Sequence, residues 1–180
     1  MPELIRPSTV LPATRTPIHI KTADGLQLIG EVATPTDGKV AASLLMLHPN
    51  PTGGGMMDSH IYKKAANRLP FMAAIQTIRF NTRGTESEAG KSEGEFGGGV
   101  DERLDVEAAI KYCFEELKVN NLYVVGWSFG TELALRYARD SRIKSLILLS
   151  PPLIATEISD RKSTRLNSSH SQQSRMPSSA

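Results

Sequence analysis

The sequence predicts an α/β fold with a mostly parallel β-sheet and helices on both faces. Short runs of strand-forming apolar residues alternate along the chain with segments whose apolar residues recur at helical spacing. This alternation is typical of right-handed βαβ units, which build parallel sheets. Near the start, a period-two pattern on either side of a turn predicts an antiparallel hairpin that precedes those units.

The hairpin consists of predicted strands at residues 16–22 and 26–34, joined by the turn Ala23-Asp-Gly25. The segment 1–15 before it is rich in Pro and Thr and has little periodicity, so we expect a poorly ordered lead-in. The predicted domain therefore begins at residue 16 and continues to residue 159.

The rest of the domain alternates between buried strands and amphipathic helices. The predicted strands are 42–48, 73–80, 122–125 and 145–149, and the predicted helices are 59–69, 101–117 and 129–140. Residues 84–100 are rich in Gly, Ser and Glu, which predicts a long loop.

Composition fits one soluble globular domain, with 39% hydrophobic and 22% charged residues among 180. The net charge of +2 is misleading, because residues 160–180 contain four basic residues against one acidic residue. The remaining body is close to neutral, which argues against a nucleic-acid or membrane partner.

The N-terminal sequence has no apolar stretch that suggests a signal peptide or a membrane span. The single cysteine, Cys113, falls on the apolar stripe of its predicted helix and cannot form an intrachain disulfide. Both features favour a cytoplasmic location.

The most informative motif is Gly126-x-Ser128-x-Gly130, which lies between a predicted strand and a predicted helix. A sharp turn there would expose the serine hydroxyl, at the cost of a strained backbone at Ser128. Glycines on both sides let strand and helix pass closely, and the helix N-terminus favours developing negative charge. The alternative is a glycine-rich turn in which Ser128 only caps the helix.

This motif resembles the nucleophile elbow of the α/β-hydrolase superfamily. Three further stretches resemble segments of small bacterial α/β hydrolases related to dienelactone hydrolases. They are His48-Pro-Asn-Pro-Thr-Gly-Gly-Gly55, Arg79-Phe-Asn-Thr-Arg-Gly84, and the loop-to-helix stretch at 94–105. The resemblance covers about residues 16–152 and implies the α/β-hydrolase fold.

The resemblance implies that Ser128 is the nucleophile and that the backbone N–H of Phe129 belongs to the oxyanion hole. A second N–H would come from the loop after His48. Pro49 and Pro51 have no N–H, so Asn50 is the best donor, with the glycines at 53–55 as second choices. No cofactor and no metal are implied.

The chain departs from the superfamily after Ser128, where an Asp or Glu and then a His should follow. The only later histidine, His170, lies in residues 160–170, which look like the translation of a widely used sequencing adapter. We therefore expect a C-terminally truncated, inactive fragment that ends in a non-native, disordered tail at 160–180. The alternatives are a natural Ser/Gln-rich tail, and Glu157 or Asp160 as the acid.

Other candidate residues have simpler explanations. We expect His48 to fix the oxyanion loop, His60 to be exposed or to cap its helix, and His19 to be solvated. Residues 97–101 lack the Lys-Ser/Thr of a phosphate-binding loop, which favours a flexible loop. Trp127 could line the acyl pocket or pack over the elbow.

The function implied is hydrolysis of carboxylic esters, thioesters or small amides through an acyl-enzyme, with a small-molecule acyl substrate as the partner. Two alternatives remain open at this stage. One is a hydrolase fold used only for binding, and the other is an acyltransferase that uses the same serine. The sequence does not predict the oligomeric state.

Overall fold

The computed structural model describes residues 5–6 and 8–152. Its strands, numbered in chain order, are β1 (Thr14–Lys21), β2 (Gln27–Thr34), β3 (Ala42–Leu47), β4 (Ile75–Phe80), β5 (Glu86–Ser87), β6 (Gly90–Lys91), β7 (Leu122–Trp127) and β8 (Ile143–Leu149). Its helices are α1 (His60–Ala66), α2 (Leu69–Ala73), α3 (Glu102–Glu115) and α4 (Phe129–Tyr137), with a 3₁₀ turn at Pro51–Gly53.

The main sheet has six strands in the order β1-β2-β4-β3-β7-β8. Strand β3 pairs in parallel with β4 and with β7, and β7 pairs in parallel with β8. Strands β1 and β2 form the antiparallel hairpin at one edge, and β2 joins β4 antiparallel. The predicted fold class is confirmed, including the antiparallel N-terminal hairpin.

The sheet packs helices on both of its faces. Leu45 and Leu47 of β3 belong to the main core, together with apolar residues of α3 and α4. Met46 points to the opposite face, because successive strand residues alternate, and there it packs with Tyr62 of α1 and Val125 of β7. The central strands are buried on both sides, which explains why their sequences are continuous apolar runs.

The N-terminal segment is more ordered than its composition predicts. Strand β1 begins at Thr14, inside the expected lead-in. Leu11 is buried, and its N–H donates to the carbonyl of Asn67 at 2.9 Å. A single apolar anchor of this kind has no periodicity, so the sequence pattern does not reveal it.

The helix predicted over 59–69 is shorter than expected, and a second short helix follows it. Helix α1 ends at Ala66, and α2 starts at Leu69 with Pro70 in its first turn, where the missing N–H of proline costs no helical hydrogen bond. Helix α2 ends at Ala73, Ala74 follows it with φ 53°, and β4 begins at Ile75, two residues later than predicted. Helix α4 likewise ends at Tyr137 rather than at residue 140.

The loop predicted over 84–100 contains the hairpin β5–β6, whose two-residue strands are too short to show an alternating pattern. The expected tail at 160–180 and the expected domain end at 159 lie outside the described residues. Within the described ranges, no helix has the length and apolar character that a membrane span requires.

Candidate active site

Ser128 is the single residue between the end of β7 and the start of α4. Its backbone has φ 52° and ψ −116°, a conformation that non-glycine residues rarely adopt and that costs about 1–3 kcal/mol. Its N–H donates to the carbonyl of Leu149 at 2.9 Å, and its carbonyl accepts from the N–H of Thr131 at 2.9 Å. Hydrogen bonds on both sides therefore hold Ser128 in the strained backbone that the motif predicts.

The hydroxyl of Ser128 does not cap helix α4. The side chain is half-buried, and its hydroxyl forms no hydrogen bond with any residue in the described part of the chain. Ser128 occupies the N-cap position of α4, but the interpretation in which its hydroxyl caps the helix is wrong. Instead, the first turn is closed by Thr131, whose hydroxyl donates to the Ser128 carbonyl at 2.6 Å.

The two glycines of the motif allow two different close approaches. A Cβ on Gly126 would lie 2.4 Å from the carbonyl oxygen of Gly130, so the strand and the following helix touch as predicted. A Cβ on Gly130 would lie 2.0 Å from the carbonyl oxygen of Leu47. The second glycine therefore also lets α4 pack against the end of β3, a contact that the motif alone does not show.

The loop after β3 lies beside Ser128 because of the strand register. Leu47 is paired with Gly126, so β3 and β7 end at the same edge of the sheet. In open parallel sheets, sites form at this carboxyl edge. The expected neighbours, the segment after His48 and the start of α4, are thus brought together.

Within that loop, the backbone N–H groups differ in whether they are already hydrogen-bonded. The N–H groups of Gly53 and Gly55 both donate to the carbonyl of Asn50, and that of Gly54 donates to Pro51. These second-choice donors are therefore already engaged. The N–H groups of Asn50 and Phe129 donate to no acceptor in the described ranges. Asn50 also shapes the loop, since its side-chain oxygen accepts from the N–H of Thr52 at 3.0 Å.

His48 is buried and joins two loops. Its Nδ1 lies 2.7 Å from the carbonyl oxygen of Pro49, and its Nε2 accepts from the backbone N–H of Thr82 at 3.0 Å. This arrangement places the single ring proton on Nδ1. Burial lowers the pKa of His48 to about 4, against the raising effect of the Pro49 carbonyl. Both ring nitrogens are engaged, which fits the structural role expected from the sequence.

The stretch 79–84 holds the far end of the same loop. Arg79 donates to the carbonyl of Met57 at 3.1 Å and forms ion pairs with Asp58 and with Glu31. The side-chain oxygen of Asn81 accepts from the N–H of Met57 at 2.9 Å. The sequence singled out these residues only by resemblance, because nothing local in the chain shows what they contact.

Arg83 connects this stretch to helix α3 through a buried ion pair. Its Nε and Nη2 donate to Asp105 at 3.0 and 2.8 Å, and its backbone N–H donates to the same carboxylate at 2.8 Å. Asp24 of the β1–β2 turn also accepts from Arg83, at 3.1 Å. Burial raises the pKa of Asp105, and the hydrogen bonds and charge of Arg83 oppose that shift.

The glycine run at residues 97–99 surrounds a carboxylate that belongs to the chain itself. Glu102 is fully buried and accepts from the N–H groups of Gly97 and Gly99, each at 2.7 Å. The N–H groups of Gly97 and Gly99 are therefore occupied, which argues against a phosphate-binding role and fixes the loop that we expected to be flexible. The loop packs on the site through an edge-on contact of Phe96 with Phe129, whose ring centroids are 5.5 Å apart.

The remaining candidates take structural positions. Trp127 is half-buried and packs edge-on against His60 and Tyr62, with centroid distances of 5.4 and 5.9 Å, which favours the packing role. His60 is the first residue of α1 and is exposed, and His19 is exposed on β1, both as expected. Burial raises the pKa of the Cys113 thiol to about 12, so it is an inert core group.

Comparisons with known proteins agree with this architecture. The family model described as the alpha/beta hydrolase fold matches residues 43–179. No curated protein matches the chain.

Two solved structures more than 25% identical to the chain are named as serine hydrolases. XC6422 from Xanthomonas campestris, "a member of a/b serine hydrolase without lid", is 28% identical with a TM-score of 0.69 over 85% of this chain. An alpha-beta serine hydrolase homologue from Coxiella burnetii is 26% identical with a TM-score of 0.63 over 77% of this chain.

The esterase Pf2001 from Pyrococcus furiosus is 20% identical with a TM-score of 0.65 over 83% of this chain, a likeness of fold alone. This chain spans 68% of XC6422, 64% of the Coxiella protein and 59% of Pf2001. Since the family model matches more than half of the sequence, the chain belongs to the α/β hydrolase fold family.

Proposed function

We propose that this chain carries the nucleophile and the oxyanion-binding groups of a serine hydrolase that cleaves carboxylic esters, thioesters or small amides. The observation that supports this most strongly is the backbone of Ser128. Hydrogen bonds on both sides hold this residue at φ 52°, and its hydroxyl bonds no described residue. The strain is therefore not explained by packing, and strained backbones of this kind cluster at active sites. The names of the two serine hydrolase relatives agree with it.

In the proposed reaction, the Ser128 oxygen attacks the carbonyl carbon of the acyl substrate and forms a tetrahedral intermediate. The substrate oxygen then becomes negatively charged and accepts hydrogen bonds from the N–H groups of Asn50 and Phe129. Loss of one such donor costs about 2.7–4 kcal/mol in comparable enzymes. The leaving group departs to give an acyl-serine, which water hydrolyses. The N-terminus of α4, which follows Ser128 directly, adds a favourable dipole.

The proton of the Ser128 hydroxyl needs a base, and the described residues do not bring one to it. The family order places the acid and then the histidine after the serine. No histidine occurs between Ser128 and His170, and His170 lies outside the described residues. We therefore propose that the 180-residue chain forms an acyl-enzyme slowly and turns over little, if at all.

Acylation by p-nitrophenyl acetate tests this proposal on the chain itself. Free imidazole is added to act as the missing base, and mass spectrometry follows the acetyl group. We expect one acetyl group per chain, located on the peptide that contains Ser128, and a rate that rises with imidazole concentration. The matched control is Ser128→Ala, which should remain unmodified at that peptide. Equal labelling of this variant, or acetylation spread over surface lysines alone, would overturn the assignment.

A non-catalytic role is the second candidate, because no described side chain is hydrogen-bonded to the Ser128 hydroxyl as a base. The same experiment separates the two functions. A folded chain that resists acetylation at every imidazole concentration would favour a binding protein. An acyltransferase would instead form the acyl-serine and pass it to an added alcohol or amine in preference to water.

A further inference from the structure

We propose that His48 is a positioning residue whose neutral ring fixes the direction of the Asn50 N–H, and that uptake of a second proton by the ring breaks its supporting hydrogen bond with the Thr82 N–H. The inference deepens the proposed function, on which it rests only for the role of Asn50 as an oxyanion donor. The hydrogen bonds of the ring are independent of any activity.

The link between His48 and Asn50 is a single peptide unit. The carbonyl of Pro49 and the N–H of Asn50 belong to the same planar group, and in a trans peptide they point in opposite directions. The chain has no cis peptide bond among its described residues. Because the His48 Nδ1–H holds the Pro49 carbonyl at 2.7 Å, the Asn50 N–H must point away from the buried ring.

The ring itself is fixed from its other side. Its Nε2 accepts from the N–H of Thr82 at 3.0 Å and lies 3.1 Å from the Thr82 hydroxyl. That hydroxyl lies 3.1 Å from the hydroxyl of Thr85. The loop after β4 thus acts as a support for the loop after β3, with His48 between them. The contact with Thr82 is buried, so water does not compete for that hydrogen bond.

Only the neutral ring can make both hydrogen bonds. Imidazolium has two N–H donors, and its Nε2–H would face the N–H of Thr82, donor against donor. The groups that face the ring are the Pro49 carbonyl and the N–H and hydroxyl of Thr82, none of which is charged.

Among the described residues, no charged side chain is hydrogen-bonded to the ring. Arg83, which follows Thr82 in the chain, is paired with Asp105 of α3, and no described charged side chain forms an ion pair with the ring. A proton on His48 would therefore be buried without a counter-charge, and the Thr82 hydrogen bond would be lost.

NMR of the ¹⁵N-labelled 180-residue chain tests the proposal without any substrate. The long-range imidazole spectrum of His48 should show the proton on Nδ1 at neutral pH. On acidification, the ring, the Thr82 amide and the Asn50 amide should shift together, with a midpoint near pH 4. A proton on Nε2, a ring that titrates near its ordinary value, or an Asn50 amide that does not follow the ring would each overturn the proposal.

Two substitutions separate positioning from bulk packing. In His48→Asn, the side-chain amide nitrogen can occupy the place of Nδ1 and keep the donor to Pro49. In His48→Ala, that donor is lost. We expect His48→Asn to retain most of the Ser128 acylation rate, whereas His48→Ala should lose up to about a hundredfold. Buffers other than imidazole are used here, because free imidazole could refill the vacated site.

The result distinguishes the two proposals. If the unmodified chain shows the coupled titration but never acylates Ser128, the proposed function fails while the His48 contact stands. If the chain acylates and both His48 variants react equally fast while unfolding at the same temperature, the positioning role is wrong. Should His48→Ala fail to fold, the NMR titration of the unmodified chain still decides the matter.

Discussion

Gly130 lies directly against the carbonyl oxygen of Leu47, which a Cβ on Gly130 would approach to 2.0 Å. This contact joins the start of α4 to the end of β3. Of the two proposed oxyanion donors, Phe129 is the first residue of α4 and Asn50 lies in the loop that follows β3. Their spacing therefore depends on a residue without a side chain at position 130.

Gly130→Ala should consequently disturb both stability and the site. Because backbone atoms block the new methyl group, we expect a loss of about 3 kcal/mol or more in the free energy of unfolding. Gly53→Ala is the matched control, since a Cβ there meets no atom within 4 Å. Urea unfolding of both variants measures the difference, and equal midpoints would show that the contact can relax freely.

The strained backbone of Ser128 predicts a gain in stability when the serine is replaced by glycine. Glycine adopts φ 52° without steric cost, so Ser128→Gly should raise the free energy of unfolding by about 1 kcal/mol after the added chain entropy is subtracted. Ser128→Ala keeps the strain and should show no comparable gain. Thermal melts of the three chains decide this, and a less stable glycine variant would contradict the interpretation of the backbone as strained.

The buried pair of Arg83 and Asp105 should matter far more than an exposed pair of the same kind. Asp105→Ala leaves the Arg83 guanidinium buried without this partner and should cost about 3–5 kcal/mol. Glu107→Ala removes the exposed partner of Arg103 and should cost less than about 1 kcal/mol. Denaturant titration compares them. Similar losses in both variants would mean that Asp24 alone satisfies Arg83.

The lowered pKa of His48 predicts that the free energy of unfolding decreases in acid. In the unfolded chain the ring titrates near its ordinary value of 6.5, whereas in the folded chain it does so at about 4. Between these values the unfolded state binds more protons, so stability is complete above pH 6.5 and decreases as the pH falls towards 4. The contribution is on the order of 3 kcal/mol.

The difference in unfolding free energy between the original chain and His48→Asn isolates this contribution, because the variant has no titrating ring at position 48. We expect the original chain to lose more stability than the variant between pH 6.5 and 4. Parallel curves over this range would show that His48 titrates alike in both states.

Features with a short period were predictable from the sequence. The central strands read as continuous apolar runs, and the alternation of β1 and β2 gave the correct hairpin and edge. The turn at Gly126-x-Ser128-x-Gly130 was predicted with its strained serine, because a strand and a helix separated by one residue leave the backbone few conformations. In each case the residues responsible are close together in the chain.

Features with long-range partners were not predictable. Thr82 is 34 residues from His48, and Asp105 is 22 residues from Arg83, so neither pair forms a pattern along the sequence. The sequence also did not show that the Glu102 carboxylate accepts from the N–H groups of Gly97 and Gly99. Composition alone predicts that this glycine-rich loop is flexible. The break between α1 and α2 and the short β5–β6 hairpin were also not predicted, because neither is long enough to show a periodic pattern.

The sequence by itself determined the parallel α/β sheet, the position of Ser128 at its edge and the two prolines that restrict the donors in the loop after His48. Only the tertiary structure decided which of that loop's N–H groups are already hydrogen-bonded. It shows the N–H groups of residues 53–55 bonded inside their own loop and that of Asn50 without a described acceptor. The physical reason is that a hydrogen bond depends on where two groups meet in space, and spacing along the chain fixes that only for near neighbours.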